Sequence, residues 1–450
     1  MTRGEALPAE RTRGLVSGPL LGAILRLALP AVGSALLTLA FFLVDTFWVG
    51  RILGPAALAA VSTAGFAVWM LAALGEMIAV GLTAVAARRH GEGAHDRAAI
   101  VAGSTAATAV AGGLLAAASA GAVVPVLFAA MHTPPEVTAL GHTYLVTYML
   151  GAPAVFGFFA VEATFRASGD TRTPLALLAA SVLMNLVLDP LLITGAGPLP
   201  TLGIAGAATA ALLTRGLVFV LGLAILARRR LIQWRAFDGR AVATVLRVGA
   251  PTAGTGLFFS AVYMGLTRIT TRFGVPALAA LGIGHKLEGL SYMVATGFAL
   301  AAAAIVGQNI GAGRLDRARR AGWVTASYAC AVGAVVGLAF VLLPDVMVSV
   351  FTRDALVIED GAGYLRAMAL AQITMGLEIV LGASLGGAGY TVMPMVWSGV
   401  FTAARIPLAL LLASFLGLWG VWITIGATAV ARGLAMALLW RGRRWERVRV

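Results

Sequence analysis

Residues 27–50 of the chain read LALPAVGSALLTLAFFLVDTFWVG, an apolar run that contains one ionisable side chain, Asp45. A run of this length is long enough to cross a lipid bilayer as a helix. A carboxylate inside such a helix is energetically costly, so it usually has a function and a polar partner. The run therefore predicts a transmembrane first helix that carries a functional acid.

The composition of the whole chain is that of an integral membrane protein. Of its 450 residues, 60% are hydrophobic and 12% are charged, and the mean hydropathy is +0.93. A soluble domain carries about 25% charged residues. The net charge of +14 comes almost entirely from arginines in short loops, which indicates cytoplasmic loops and not a nucleic-acid partner. The single cysteine, Cys330, excludes an internal disulfide.

Twelve apolar stretches are each long enough to span a bilayer, which requires about 20 residues. Arginines occupy alternate loops, so both termini are predicted to be cytoplasmic, as an even number of spans requires. No small-residue cleavage site ends the first apolar run, so we expect an uncleaved first span. The predicted spans are 24–49, 57–87, 98–130, 139–165, 174–196, 203–227, 243–270, 277–307, 321–351, 361–386, 394–416 and 419–440.

The chain contains an internal repeat with an offset of 220 residues. Three clusters match in one register, namely 54–60 with 274–280, 91–98 with 311–318, and 169–174 with 389–394. Two copies of a six-span unit enter the membrane from the same side, so their pseudo-two-fold axis runs along the membrane normal. We predict an all-α polytopic membrane protein with twelve transmembrane helices in two six-helix bundles, an architecture suited to alternating access.

The repeat also divides the chain into segments and separates scaffold from function. Glycines and prolines that occur in both copies are expected to serve helix packing and turns. Polar residues that occur in one copy are better candidates for chemistry. The predicted segments are a cytoplasmic N-terminal segment (1–23), an N-terminal lobe (24–227), a cytoplasmic linker (228–242), a C-terminal lobe (243–440) and a cytoplasmic basic tail (441–450).

The fifth span carries a second candidate acid. Asn185 and Asp189 are four residues apart, so they lie on one face of the helix. Pro190 has no N–H, which leaves the carbonyl of Leu186 without its helical partner. A carboxylate, an amide oxygen and a free carbonyl on one turn could hold Na⁺ or a water-linked proton.

The two acids lie at the same predicted depth. Asp45 and Asp189 each follow a proline, Pro30 or Pro174, by fifteen residues. At 1.5 Å per residue, each acid is roughly 22 Å along its helix, in the outer half of the bilayer. Burial and mutual repulsion disfavour two charged carboxylates in one pocket. A pair that binds a proton in one conformation and releases it in the other would suit an antiporter.

The second copy lacks this acidic site. At the repeat offset, Asn185 corresponds to Arg405 and Asp189 to Ala409. Other intramembrane charges leave two interpretations open. Glu76, and the cluster of His285, Lys286 and Glu288, could line a cavity or be satisfied structural groups, whereas Glu162 and Arg166 suit an ordinary ion pair, and Glu378 and Arg405 are cavity candidates.

Several motifs resemble the multidrug and toxic compound extrusion (MATE) family. The opening of that family is similar to Leu29-Pro30, Val44-Asp45-Thr46, Val49-Gly50-Arg51 and Leu58-Ala59-Ala60. Its loop after span eight resembles residues 307–313 (GQNIGAG), and its loop after span four resembles 168–171 (SGDT), with a weaker echo at 387–391. The resemblance implies two six-helix lobes and export of cationic or amphipathic compounds in exchange for H⁺ or Na⁺.

The resemblance also implies site residues. Asp45, Asn185 and Asp189 match the cation-coupling residues of prokaryotic members, and they would be the metal ligands if the ion is Na⁺. The sixth-span threonine of that site aligns with Ala211, with Thr209 nearby as a substitute. Together with the intramembrane charges and aromatic side chains, this yields a candidate substrate cavity formed by Phe41, Tyr144, Thr209, Glu288, Glu378 and Arg405.

We therefore predict a cation-coupled antiporter in the bacterial plasma membrane, monomeric and without a cofactor other than the coupling ion. The alternative within the transporter class is a flippase or exporter of a lipid-linked or amphipathic metabolite, which Arg405 would favour. A membrane enzyme such as a prenyl transferase would need paired acidic motifs for Mg²⁺-pyrophosphate, and the sequence has none. A structural subunit would not explain two intramembrane acids.

Overall fold

The computed structural model describes residues 14–131, 135–195 and 200–448. Within these ranges the chain is helical, with no β-strand. Eleven described helices are long and apolar enough to cross a membrane, and a bent helix pair makes a twelfth span. The predicted all-α polytopic fold is confirmed. Residues 1–13 of the predicted N-terminal segment and the last two residues of the predicted tail lie outside the described residues.

The spans are numbered in chain order. Several are longer than the bilayer requires, because their charged ends continue into the loops. Three short helices (Thr271–Phe273, Pro344–Ser349 and Arg444–Arg447) follow spans seven, nine and twelve. The twelve spans are Leu20–Leu53, Pro55–Gly91, His95–Met131, Pro135–Leu150 with Ala152–Ala167, Arg172–Thr194, Ile204–Arg228, Gly239–Thr270, Val275–Gly311, Leu315–Leu342, Ala355–Gly387, Val392–Leu416 and Leu418–Arg441.

The fourth span is bent, whereas the sequence predicts one continuous helix over 139–165. Its two halves meet at Gly151 with an angle of 51°. Pro153 lies in the first turn of the second half, where a missing N–H costs nothing. The repeat offset places Ala371 and Ile373 at the corresponding positions of span ten, which runs unbroken. The bend is therefore a property of the first copy.

The ninth span ends earlier than the sequence predicts. The predicted span, 321–351, is wrong at its end, because the helix stops at Leu342 and a short helix begins at Pro344. Proline cannot donate the hydrogen bond that would continue the helix, and its ring crowds the preceding turn. Hydrophobicity continues past this point, so the apolar pattern alone did not reveal the break.

The repeated loop motifs share their backbone geometry. Gly93 and its counterpart Gly313 have φ values of 77° and 71°. Gly169 and its counterpart Gly389 have φ values of 84° and 81°. A side chain is strained at such values, so both copies need glycine there. The predicted scaffold role of the repeated glycines is confirmed at these turns.

The chain divides into two compact units. The first unit contains Gly33–Gly249, and the second contains Leu15–Val32 together with Ala250–Val450. These limits differ from the predicted lobes of 24–227 and 243–440. The beginning of span one belongs to the unit built by the second copy, and the beginning of span seven belongs to the unit built by the first.

In the first unit, close backbone contacts join span seven to span two. A Cβ atom placed on Gly81 would lie 2.0 Å from the carbonyl oxygen of Val245. A Cβ atom on Gly249 would lie 1.8 Å from the carbonyl oxygen of Met77. Small residues allow membrane helices to approach this closely. These two glycines therefore explain why the start of span seven belongs to the first unit.

In the second unit, the beginning of span one is fixed by comparable contacts. A Cβ atom on Gly297 of span eight would lie 2.4 Å from the backbone of Val32. The guanidinium of Arg317 donates to the carbonyl oxygens of Leu15, at 3.1 Å, and Gly18, at 2.6 Å. Arg317 stands at the start of span nine, just after the GQNIGAG motif. Arg317 therefore fixes the residues just before span one to the start of span nine.

We expect Arg317→Gln to loosen the start of span one. The variant loses charge-assisted hydrogen bonds to two carbonyl groups, and such bonds contribute about 1.5–3 kcal/mol each. Amide hydrogen exchange over the first turns of span one should become faster. The control is Arg320→Gln, which removes an exposed arginine from the same turn. Equal exchange rates in the two variants would show that Arg317 does not fix the start of span one.

The predicted linker and the predicted basic tail are both folded against a unit. Arg229 of the linker forms a 2.7 Å ion pair with Asp170, which is part of the SGDT motif. In the tail, Trp445 is fully buried and stacks on Trp440 with ring centroids 4.1 Å apart. The linker is therefore anchored to the first unit through Arg229, and the described part of the tail is anchored to the second unit through Trp445.

Candidate functional site

Four polar side chains from three spans of the first unit form one buried cluster. Asp45, Tyr144, Asn185 and Asp189 are each at most 5% exposed. The Tyr144 hydroxyl donates to Oδ2 of Asp45 at 3.3 Å, and Nδ2 of Asn185 donates to Oδ2 of Asp189 at 2.6 Å. Each carboxylate thus has one donor on one oxygen. We call this group the acidic cluster.

The acidic cluster depends on local helix geometry. Tyr144 lies on the first half of the bent fourth span, seven residues before the bend at Gly151. Asn185 and Asp189 share a face of span five, as the i, i+4 spacing requires. The Asp45 and Asp189 carboxylates interact electrostatically, and Tyr144 interacts with both. The structure therefore brings together the three residues predicted for cation coupling.

The acidic cluster retains unpartnered oxygens. Among the described residues, Oδ1 of Asp45, Asn185 and Asp189 are all buried and accept no hydrogen bond. Ser181, one turn before Asn185, also has a buried hydroxyl without a partner there. Buried acceptors without a donor are costly in apolar surroundings. The oxygens could accept a proton or ligate a cation.

An apolar wall adjoins the acidic cluster. Phe41, one turn before Asp45, is 4% exposed and packs with Val182 and Ala211. The hydroxyl of Thr209 donates to the carbonyl of Ala205 in its own helix, at 2.7 Å. The sixth span therefore presents a methyl group at the position where the family resemblance implies a threonine. Phe41 is a packing residue of this wall.

The sequence reasoning missed a cation in the first unit. The guanidinium of Arg215 lies 4.5 Å from the ring centroid of Phe41 and 5.6 Å from that of Phe158. Aromatic faces attract cations through their quadrupoles, and Glu162 also interacts electrostatically with this guanidinium. An arginine in the middle of the sixth apolar run, between Ile204 and Arg228, was a signal that the sequence contained.

A second polar group of the first unit is an ion pair. Arg166 Nη1 lies 2.8 Å from Glu162 Oε1, and both side chains are largely buried. The predicted ion pair is confirmed. Glu76 interacts electrostatically with both residues. Its surroundings are therefore those of a structural charge network.

The second unit has its own buried polar network around span eight. His285 Nδ1 and the hydroxyl of Tyr263 are 2.7 Å apart, and the hydroxyl of Tyr364 donates to Oε1 of Glu288. Lys286 is exposed and lies outside this network. The cluster predicted from the sequence is thus divided between the inside and the outside of the helix.

The repeat relates the two tyrosines. Tyr364 lies 220 residues after Tyr144, and each donates a hydrogen bond to a carboxylate, which is buried in Asp45 and half-buried in Glu288. The acceptors differ, because Asp45 comes from the first span of its copy and Glu288 from the second span of the other copy. The tyrosine is therefore common scaffold, whereas the acid is specific to each unit.

The remaining cavity candidates have partners in the second unit. Glu378 forms a 3.2 Å ion pair with Arg432. Arg405 is 2% exposed, and its Nε donates to the hydroxyl of Thr428 at 2.8 Å. The sequence reasoning missed Arg432, although a lone arginine inside the twelfth apolar run is a visible signal. Within the described ranges, no group of three or more His, Cys, Asp and Glu could hold a metal ion.

Solved structures share this fold over almost the whole chain. An outward-facing multidrug resistance MATE family transporter of the MOP superfamily superposes with a TM-score of 0.86, at 23% identity over 98% of each chain. A MATE structure in the bent conformation has a TM-score of 0.89, at 22% identity over 98% of each chain. The chain therefore has the fold of these MATE structures.

The family is established by the sequence. The MatE family model matches residues 30–191 and 251–411, one segment in each copy of the repeat. The chain therefore belongs to the multidrug and toxic compound extrusion family; it is a multi-pass membrane transporter of small molecules and not an enzyme.

Curated relatives agree with this assignment. The chain is 30% identical over 441 residues to the probable multidrug resistance protein NorM of Deinococcus radiodurans, which covers 94% of this chain and 96% of that protein. It is 27% identical to the NorM protein of Thermotoga maritima, over 94% and 93% of the two chains. The FAD transporter of Shewanella oneidensis is 25% identical, over 94% of each.

Proposed function

We propose that the chain is a cation-coupled antiporter that exports cationic or amphipathic organic compounds by alternating access. The coupling ion binds at Asp45, Asn185 and Asp189. The observation that carries this proposal is the set of three buried Oδ1 atoms without a hydrogen-bond donor. The multidrug resistance relatives support the substrate class.

The acidic cluster can act as a switch. A proton on Asp45 or Asp189 removes their mutual repulsion and gives a donor to the unpartnered oxygens. A ligand shifts a conformational equilibrium only through different affinities for the two states. A conformation in which the acidic cluster is buried, as in this structure, would bind the ion. A conformation in which water reaches the carboxylates would release it.

We favour H⁺ over Na⁺ as the coupling ion. A hard cation such as Na⁺ prefers several oxygen ligands at short distance, as other hard cations do. The sixth span offers the methyl group of Ala211, and the hydroxyl of Thr209 is already bonded to its own helix. A proton needs only one of the unpartnered oxygens.

The setting of this function follows from the loop charges. Arginine-rich alternate loops favour cytoplasmic termini in a bacterial plasma membrane. Each copy contributes six spans to one chain, which supports a monomer as the working unit. The coupling ion is the only inorganic component that the proposal requires.

The experiment is transport by the purified protein in liposomes. With rhodamine 123 as substrate, a gradient of H⁺ or Na⁺ is imposed separately across the membrane. We expect the H⁺ gradient to drive dye accumulation and the Na⁺ gradient at constant pH to have little effect. Dye movement that is independent of both gradients would contradict cation coupling.

A second candidate is a flippase or an exporter of a lipid-linked or amphipathic metabolite. The buried Arg405 favours it, and so does the similarity to an FAD transporter. The same liposomes loaded with FAD test it directly. Gradient-driven FAD efflux would support this candidate, and its absence would favour cationic substrates.

A further inference from the structure

The second unit contains a buried arginine whose terminal nitrogens have no partner. Arg405 is 2% exposed, and the hydroxyl of Thr428 accepts its Nε–H. Among the described residues, neither Nη atom makes a hydrogen bond or an ion pair. Neither atom is fully enclosed, so a small area of each remains accessible on a side chain that is otherwise buried. This buried guanidinium therefore has N–H donors that its own unit does not use.

A second guanidinium faces the same aromatic ring. The Arg405 and Arg432 guanidinium carbons lie 5.7 Å and 5.5 Å from the ring centroid of Phe259. Glu378 pairs with Arg432, whose side chain is 11% exposed. Both guanidinium groups therefore lie near one aromatic ring, and within the described ranges Glu378 forms an ion pair with Arg432 alone. We call these four residues the arginine site.

The nearby carboxylates attract Arg405, but among the described residues none forms an ion pair with it. Glu288 interacts with it electrostatically but forms its hydrogen bond with Tyr364. The Nδ1 atom of His285 is paired with the hydroxyl of Tyr263. A buried guanidinium without an ion pair costs several kcal/mol. Such a cost inside a membrane protein indicates function.

The repeat places this cation at a meaningful position. Arg405 lies 220 residues after Asn185, and Ala409 lies 220 after Asp189. The helix face that presents an amide and a carboxylate in the first unit presents a guanidinium and a methyl group in the second. The same scaffold position therefore has the opposite preference for charge in the two units.

We propose that the arginine site binds the carboxylate or phosphate group of a transported organic compound, whose planar part lies against Phe259. This inference rests on the proposed transport function and adds to it a preference for those amphipathic substrates that carry an acid group. Guanidinium groups bind such oxyanions through paired, charge-assisted hydrogen bonds. Arg405 supplies these donors, and Arg432 adds a second positive charge beside the Phe259 ring.

The test uses two dyes that differ at one group. Rhodamine 110 has a free carboxyl group, and rhodamine 123 is its methyl ester. Binding to the purified protein in nanodiscs is followed by fluorescence polarisation. We expect the wild type to bind rhodamine 110 more tightly. Arg405→Gln should weaken rhodamine 110 binding about 10- to 100-fold, as expected for a lost charge-assisted pair, and change rhodamine 123 binding less than about twofold.

Two further variants keep the result interpretable. Arg405→Lys retains the charge but not the planar fork, so we expect an intermediate loss for rhodamine 110. Arg366→Gln breaks an exposed ion pair with Asp345 in the same unit and should leave both dyes unaffected. Retained rhodamine 123 binding shows that each variant is folded. Competition by benzoate and by phenyl phosphate distinguishes the two oxyanions.

Several outcomes would overturn the inference. These are equal loss of both dyes in Arg405→Gln, unchanged rhodamine 110 binding, and a wild type that binds rhodamine 123 but not rhodamine 110, or neither. The proposed antiport is judged separately by gradient-driven transport, so either proposal can fail alone.

Discussion

Asp45→Asn is expected to abolish gradient-driven export while the protein remains folded. Asparagine has the shape of aspartate and keeps an oxygen that can accept the Tyr144 hydrogen bond, but it binds no proton and carries no charge. A gradient of about two pH units can support a hundredfold accumulation for each coupled proton. The variant should show almost none of that accumulation.

The measurement is rhodamine 123 accumulation in liposomes with an imposed pH gradient. Asp345→Asn is the matched control, because it removes an exposed acid that pairs with Arg366 on the surface. The control should transport like the wild type. Rhodamine 123 binding by Asp45→Asn verifies its fold. Full accumulation in Asp45→Asn would exclude this carboxylate as the coupling group.

Gly249→Ala is expected to lower the thermal stability of the protein strongly. The added methyl carbon would lie 1.8 Å from the carbonyl oxygen of Met77, so the backbones of spans two and seven must separate. Overpacking of this kind costs about 3 kcal/mol or more when backbone has to move. For a unit of this size, such a loss lowers the melting temperature by about 6–12 °C.

Gly254→Ala is the control in the same span. A methyl carbon there would lie 3.6 Å from the sulfur of Met395, which is an ordinary contact. Alanine has a higher helix propensity than glycine, so this variant should melt at the same temperature or higher. Thermal unfolding of the purified proteins in detergent decides between them. Similar melting of both variants would show that the close approach at Gly249 is not required.

The acidic cluster was largely predictable, and the arginine site was not. A charge inside an apolar run is visible in any membrane sequence, so Asp45 and Asp189 were identified before their geometry was known. Their common depth followed from helix rise. The unpartnered state of Arg405 was not visible, because it depends on which of its neighbours point towards it.

The bend in span four and the boundaries of the two units are also features that the sequence pattern does not predict. The apolar pattern predicts a helix through Gly151, and only the observed 51° angle reveals that span four is interrupted there. The start of span seven belongs to the first unit because Gly249 lies against Met77, a residue that is far away in the chain. Sequence similarity between the copies does not report such contacts.

The number of spans, their repeat and the first-unit acids follow from the amino-acid order, because the bilayer imposes a length and makes every buried charge conspicuous. Which side chains bond to each other is decided by the packing of helices within each folded unit. Tyr144 and Tyr364 occupy equivalent positions, yet they bond acids from different helices. Close contacts between distant helices select these partners, and helical periodicity specifies only which residues share a face.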